Sequence, residues 1–151
     1  MSDELRTRLE LQDLVADYAR CVDRRDFGRL ASLFVADSTL AVCQGGSPTA
    51  PVQRIEGRDA IASAMRTIES YELTTHFVGQ QTVQIEGSDR ARGETYCLAH
   101  HLSRTGGILH NYVMSIRYQD EYLREGGRWK FLSRTLLVDW TERRPLVPGG
   151  A

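Results

Sequence analysis

From Thr74 to Val138 the chain reads TTHFVGQQTVQI (74–85), ARGETYCLAHHL (91–102), ILHNYVMSIRYQDEYL (108–123) and RWKFLSRTLLV (128–138). The joints are Glu86-Gly87-Ser88-Asp89, Arg104-Thr105-Gly106-Gly107 and Arg124-Glu125-Gly126-Gly127. Stretches rich in β-branched and aromatic residues, separated by glycine-bearing turns, predict four antiparallel strands joined as hairpins. Strands of about 12 residues are long against the usual ~5–6, and long strands in one sheet curl.

Ahead of this block the pattern is helical. Leu11, Leu14, Val15, Tyr18 and Val22 recur at helical spacing, with Asp13, Asp17 and Arg20 on the other side, predicting a helix from about Asp3, its N-cap, to Val22. Asp26 caps a second, short helix whose apolar face is Phe27, Leu30, Leu33 and Phe34. Ser38–Cys43 and Arg54-Ile55-Glu56 suit two short strands around the loop Gly45-Gly46-Ser47-Pro48, and Gly57 leads into a third helix carrying Ile61, Ala64, Met65 and Ile68. This order is α+β rather than βαβ. The expected architecture is a half-barrel, a curved and mostly antiparallel sheet wrapped around three N-terminal helices, with one pocket between sheet and helices. The 151 residues form one domain, with 144–151 as a loose tail.

A formal net charge of −1 argues against a polyanion-binding surface, so nucleic acid is not an expected partner, and Arg24-Arg25 and Arg143-Arg144 read as solvated pairs. No run approaches the ~20 apolar residues of a membrane span. The acidic start Met1-Ser2-Asp3-Glu4 lacks the layout of a signal peptide, and the expectation is a cytoplasmic protein. Cys21, Cys43 and Cys97 are odd in number, show no CxxC spacing and read as reduced, buried thiols.

There is no phosphate loop, no GxSxG and no HExxH, so neither an organic cofactor nor a metal is expected. Adjacent His100 and His101 point to opposite faces of a strand and cannot chelate one ion from it. The candidate chemical set is Tyr18, Asp23, His76 and one of the His100/His101 pair. Asp23 closes the first helix, where the helix dipole disfavours a carboxylate by ~0.3–1 kcal/mol. Either Arg24 and Arg25 offset this, or Asp23 turns inward to orient a histidine. The helix is expected to end or bend just after Val22 to allow that turn. The face Thr95, Cys97, Ala99 and His101 is small-sided and leaves space, which selects His101 over His100 for the cavity.

The order of elements resembles the SnoaL-like, or nuclear-transport-factor-2-like, superfamily over nearly the whole chain. The matching pieces are Tyr18-Ala-Arg-Cys-Val-Asp23, Asp26-Phe-Gly-Arg-Leu-Ala-Ser-Leu-Phe34, Asp37, Gly57-Arg-Asp-Ala-Ile61, Thr75-His76, Tyr118-Gln-Asp120, Gly127-Arg-Trp129-Lys-Phe and Arg134. Within the superfamily the chain is most similar to the scytalone dehydratase and bile-acid dehydratase branch, through a tyrosine five residues before an aspartate and a histidine early on the third strand. His101 lies near the second histidine of scytalone dehydratase, although a direct register puts Thr95 there, and Val22 stands where that enzyme has a tyrosine. The first strand carries no acid at the position of the ketosteroid isomerase base, and no equivalent of the Asp-Arg-Asp network of limonene epoxide hydrolase is present.

The resemblance implies a cone-shaped barrel and a lyase that removes water from a β-hydroxy carbonyl ring compound. His76 would act as base and then as acid to the leaving group, Asp23 would orient a histidine, and Tyr18 would donate to the substrate carbonyl or its enolate. Val78, Cys97, Ala99, Met114, Ile116 and Tyr118 would line the pocket around a steroid-, terpenoid- or polyketide-sized ring. Other members of the superfamily suggest a non-catalytic hydrophobic-ligand-binding protein or a dioxygenase-type small subunit, or else a polyketide-type cyclase or isomerase. A homodimer or homotrimer covering the outer face of the sheet is expected by the same analogy.

Overall fold

The computed structural model describes residues 2–49 and 51–147. Helix α1 (Asp3–Arg24) is followed by α2 (Phe27–Ser32), β1 (Phe34–Gln44), β2 (Pro51–Glu56), α3 (Arg58–Ala64), a 3₁₀ helix (Met65–Ser70), and then β3 (Leu73–Ile85), β4 (Arg90–Thr105), β5 (Ile108–Glu125) and β6 (Arg128–Pro145). The four long strands form the expected antiparallel meander. The sheet order is β2-β1-β6-β5-β4-β3, and the β1–β6 pair is the parallel seam. The sheet therefore stays open, with β2 and β3 as its edges, and curls about the helices as an α+β cone-shaped half-barrel.

Alternation fixes which side of each strand meets the helices. Thr95, Cys97, Ala99 and His101 of β4 are all buried, opposite Tyr118, Ile116, Met114 and Tyr112 of β5. Cys97, Ala99, Ile116 and Tyr118 make one core with Leu11, Leu14, Val15, Tyr18 and Val22 of α1. Gly93 is needed on this face, because a Cβ there would lie 2.9 Å from the Thr82 carbonyl oxygen and 3.1 Å from the Tyr122 ring. The opposite face leaves Phe77, Tyr96, Leu98 and Trp140 exposed. Among the described residues no helix is long and apolar enough to cross a membrane.

Three local expectations need correction. Ser2, not Asp3, caps α1, its Oγ accepting from the Leu5 N–H at 3.3 Å. The strand β6 runs on to Pro145, and the Leu146 N–H donates to the Leu109 carbonyl at 2.8 Å, so the tail is not loose from residue 144; residues 148–151 lie outside those described. The third concerns the end of α1, which does not break after Val22. The helix continues to Arg24 and closes with Arg25 in the left-handed conformation, φ 57° and ψ 30°. The Asp26 N–H donates to the Cys21 carbonyl at 2.9 Å and the Arg25 N–H to the Val22 carbonyl at 3.2 Å, the paired bonds of a Schellman stop. Glycine normally fills that position, and a side chain there costs about 1–2 kcal/mol. Asp23 needs no bend in the helix, because β3 runs alongside α1 and brings its own groups to the carboxylate. Arg8, near the other end of α1, reaches the same strand and donates to the Val83 carbonyl at 3.0 Å.

Candidate active site

Asp23 and His76 meet where α1 ends beside β3. Asp23 Oδ1 lies 2.7 Å from His76 Nδ1, and Asp23 Oδ2 accepts the His76 backbone N–H at 2.9 Å. One carboxylate thus holds one residue at two points, fixing both the position of the imidazole and its direction. The His76 side chain is 6% exposed and that of Asp23 24%. Burial pushes the Asp23 carboxyl up, but the hydrogen bonds from the His76 ring and backbone outweigh it, and the group ends below its ordinary range. An ionised carboxylate only accepts, so Nδ1 is the ring nitrogen that donates to Asp23, and Nε2 is the ring nitrogen left free of it.

His101 lies edge-on to His76, with ring centroids 5.7 Å apart, and packs on Tyr71 at 4.8 Å. Its Nδ1 is 3.2 Å from the Tyr112 carbonyl, which again places the proton on Nδ1. Burial pushes the His101 pKa down, only partly offset by that carbonyl, so the ring is neutral near pH 7. His100 points to the other face, where its Nδ1 is 3.0 Å from the Asn111 amide. Asp23, His76, Ala16, Ala19, Arg20, Arg24 and Val78 line an open cleft of about 370 Å³ between α1 and β3.

Tyr18 is not brought to this dyad by any hydrogen bond among the described residues. From the same helix, Asp23 is turned roughly 140° away from it. The Tyr18 ring packs edge-on against Phe34, Tyr118 and Phe131, and its hydroxyl meets Met65 Sδ at 4.0 Å. Burial pushes the phenol up, so it remains a neutral donor. Of the expected wall residues, Cys97, Ala99, Ile116 and Tyr118 are buried in the core, and Val78 and Met114 are half-buried against it. Burial also pushes the Cys97 thiol up to about 11, which leaves it without thiolate character at neutral pH.

The core holds a second carboxylate pair, Asp120 with Arg134, two residues that the resemblance names but that the sequence does not join. Arg134 donates from Nε to Asp120 Oδ1 and from Nη2 to Asp120 Oδ2, both at 2.8 Å, and the Tyr122 hydroxyl donates to Oδ2 at 2.9 Å. Both charged side chains are fully buried. The rings of Tyr18, Tyr118 and Phe131 each sit 4.1 Å from the guanidinium carbon. The signal was present: Asp120 falls on the inward register of β5 between Tyr118 and Tyr122, and a charged residue at such a position requires a partner. Among the described residues no group of three or more His, Cys, Asp or Glu is arranged to hold a metal ion.

The SnoaL-like domain family matches residues 3–135. Hexachlorocyclohexane dehydrochlorinase 1 of Sphingobium indicum is 27% identical over 130 residues, 85% of this chain and 79% of that protein. The crystal structure of a type 2 hexachlorocyclohexane dehydrochlorinase superposes with a TM-score of 0.79 at 23% identity, over 99% of this chain and 98% of the other. A protein assigned as a scytalone dehydratase from Novosphingobium aromaticivorans superposes with a TM-score of 0.76 at 22% identity, over 98% and 96%. With its open six-stranded cone, its three helices and a match that covers most of its length, the chain belongs to the SnoaL-like domain family.

Proposed function

We propose that the protein is a small-molecule lyase that removes a proton and a leaving group from neighbouring carbons of an apolar ring compound, the leaving group being the hydroxyl of a β-hydroxy carbonyl. The observation that carries this reading is the two-point grip of Asp23 on His76, with 2.7 Å to the ring and 2.9 Å to the backbone N–H. His76 Nε2 takes the proton from the carbon next to the carbonyl. The C–H electron pair moves into the carbonyl as an enolate, returns, and expels the β-hydroxyl. The imidazolium gives its proton to that oxygen, so the products are an enone and water and His76 is regenerated. Asp23 stabilises the imidazolium while it exists. Neutral His101 beside it adds no opposing charge and keeps an acceptor nitrogen on the same side of the sheet.

Two kinds of relative support the class of reaction. Loss of hydrogen chloride, which the name dehydrochlorinase denotes, and loss of water both require removal of a proton from carbon. The halide differs in leaving as an anion that needs no proton back.

The test is turnover of a panel of cyclic β-hydroxy ketones and of a chlorinated cyclohexane, followed by enone absorbance and chloride release. Wild type is expected to convert the β-hydroxy ketones. His76→Ala and Asp23→Asn are expected to lose about 10²–10⁴-fold in rate with the fold intact. Ligand-induced stabilisation of wild type without turnover would make the protein a binder, and equal rates in wild type and variants would remove the dyad from the chemistry.

A further inference from the structure

We propose that Arg25 is a positioning residue that holds Asp23 in register with His76. The proposal rests on the elimination reading for its kinetic consequence but not for its structural one. Arg25 is, among the described residues, the one non-glycine with a positive φ. An arginine at a glycine position needs a reason, and its side chain supplies one. Nη1 donates to the Asp23 carbonyl at 2.6 Å and to Thr74 Oγ1 at 3.1 Å, and Nη2 donates to the Tyr71 carbonyl at 3.1 Å. The planar guanidinium thus joins three pieces of chain: the last turn of α1, the end of the 3₁₀ helix, and the start of β3 two residues before His76. Thr74 is itself buried, and its hydroxyl is among the groups that hold the Asp23 carboxyl below its ordinary range. The left-handed backbone at Arg25 is what lets the side chain of the stop residue fold back over the helix end and reach all three acceptors.

The competing role is a plain staple between helix and sheet, and glycine separates the two. Arg25→Gly removes the guanidinium and at the same time relieves the left-handed conformation. Arg25→Lys keeps a charge but has no planar fork with which to serve three acceptors. The decisive measurement is ¹⁵N–¹H NMR of the imidazoles in the full chain, with Asp23→Asn as the reference for a lost partner. Wild type should show His76 as the Nδ1–H tautomer. Arg25→Gly should keep or raise Tm while its His76 signals move toward those of Asp23→Asn, and Arg25→Lys should fall between. On a substrate that wild type converts, Arg25→Gly should lower kcat by about 10–100-fold with KM little changed, as expected for a misplaced rather than a missing group. A wild-type His76 spectrum in both variants would overturn the proposal. So would a loss of the Nδ1–H signal that appears only with a matching fall in Tm in both. If wild type converts no substrate, the elimination reading fails, while the spectra and Tm still decide the role of Arg25.

Discussion

Asp23 and Asp120 are both held by nitrogen groups, yet the two surroundings make them different devices. Asp120 faces Arg134 inside the core, with both side chains sealed from solvent and three aromatic rings on the cation. Arginine stays charged at any accessible pH, and burial, which would lower its pKa, is outweighed by Asp120, so the guanidinium is held above its ordinary value. That pair cannot exchange a proton in use. Asp23 faces a histidine at the rim, partly open to a cleft, and histidine changes charge near neutral pH. The same carboxylate chemistry thus gives a fixed pillar in one place and a group able to manage a proton in the other. The difference lies in the partner and in the depth of burial.

The sharpest way to break this contrast is to remove the pillar. Asp120→Ala leaves Arg134 charged and unpaired at full burial, and breaking such a pair costs about 3–5 kcal/mol. The urea midpoint should fall accordingly, or the protein should fail to accumulate. A variant as stable as wild type would mean that the core rearranges to supply another acceptor.

A smaller effect separates the two carboxylates by pH. The folded-state pKa of Asp23 is lowered, so its stabilisation is present above its unfolded value, ~3.9, and is lost as pH falls through the folded value. Urea midpoints of wild type and Asp23→Asn should therefore differ at pH 7 and converge below about pH 4. A gap that stays constant down to pH 3 would show that the difference between the two proteins does not arise from ionisation of Asp23.

The smallest expected effect concerns Tyr18, which belongs by position to the pillar and by resemblance to the dyad. Tyr18→Phe keeps the ring that packs on Arg134 and removes a hydroxyl that meets Met65 Sδ at 4.0 Å. Stability should change by no more than about 1 kcal/mol, the usual net worth of one hydrogen bond. Turnover should stay within a few-fold of wild type. A loss of 10²-fold or more in kcat would return Tyr18 to the donor role that the resemblance implies.

The fold is legible in the sequence because its signals are local. Glycine pairs mark the turns at Gly106-Gly107 and Gly126-Gly127, and strict alternation marks the inward face of β4. The meeting of Asp23 with His76 is half legible: both residue types can be named, but not that β3 would come to α1. The end of α1 is not legible, because its left-handed stop carries arginine in place of glycine and nothing in the local sequence marks it. Arg25 itself reads in sequence as one of two solvated charges, since its three acceptors include two backbone carbonyls, which have no residue identity to read. Asp120 and Arg134 are each legible as pieces of the family resemblance and as charge on an inward register, but it takes the sheet pairing to make them a contact.

The grip of Asp23 on the His76 backbone N–H has a consequence for self-association. β3 is an outermost strand, and an exposed strand edge offers unpaired N–H and C=O groups to any other extended chain. Asp23 occupies one such donor from α1, and Arg8 occupies the Val83 carbonyl further along the same strand. The helix that supplies the Asp23 carboxylate to His76 therefore also shields the open margin of the sheet against edge-to-edge aggregation. Asparagine at position 23 keeps an acceptor oxygen for the His76 N–H, whereas alanine leaves that position of the edge bare. Of two substitutions that disable the same dyad, Asp23→Ala is the one that should make the protein prone to aggregate.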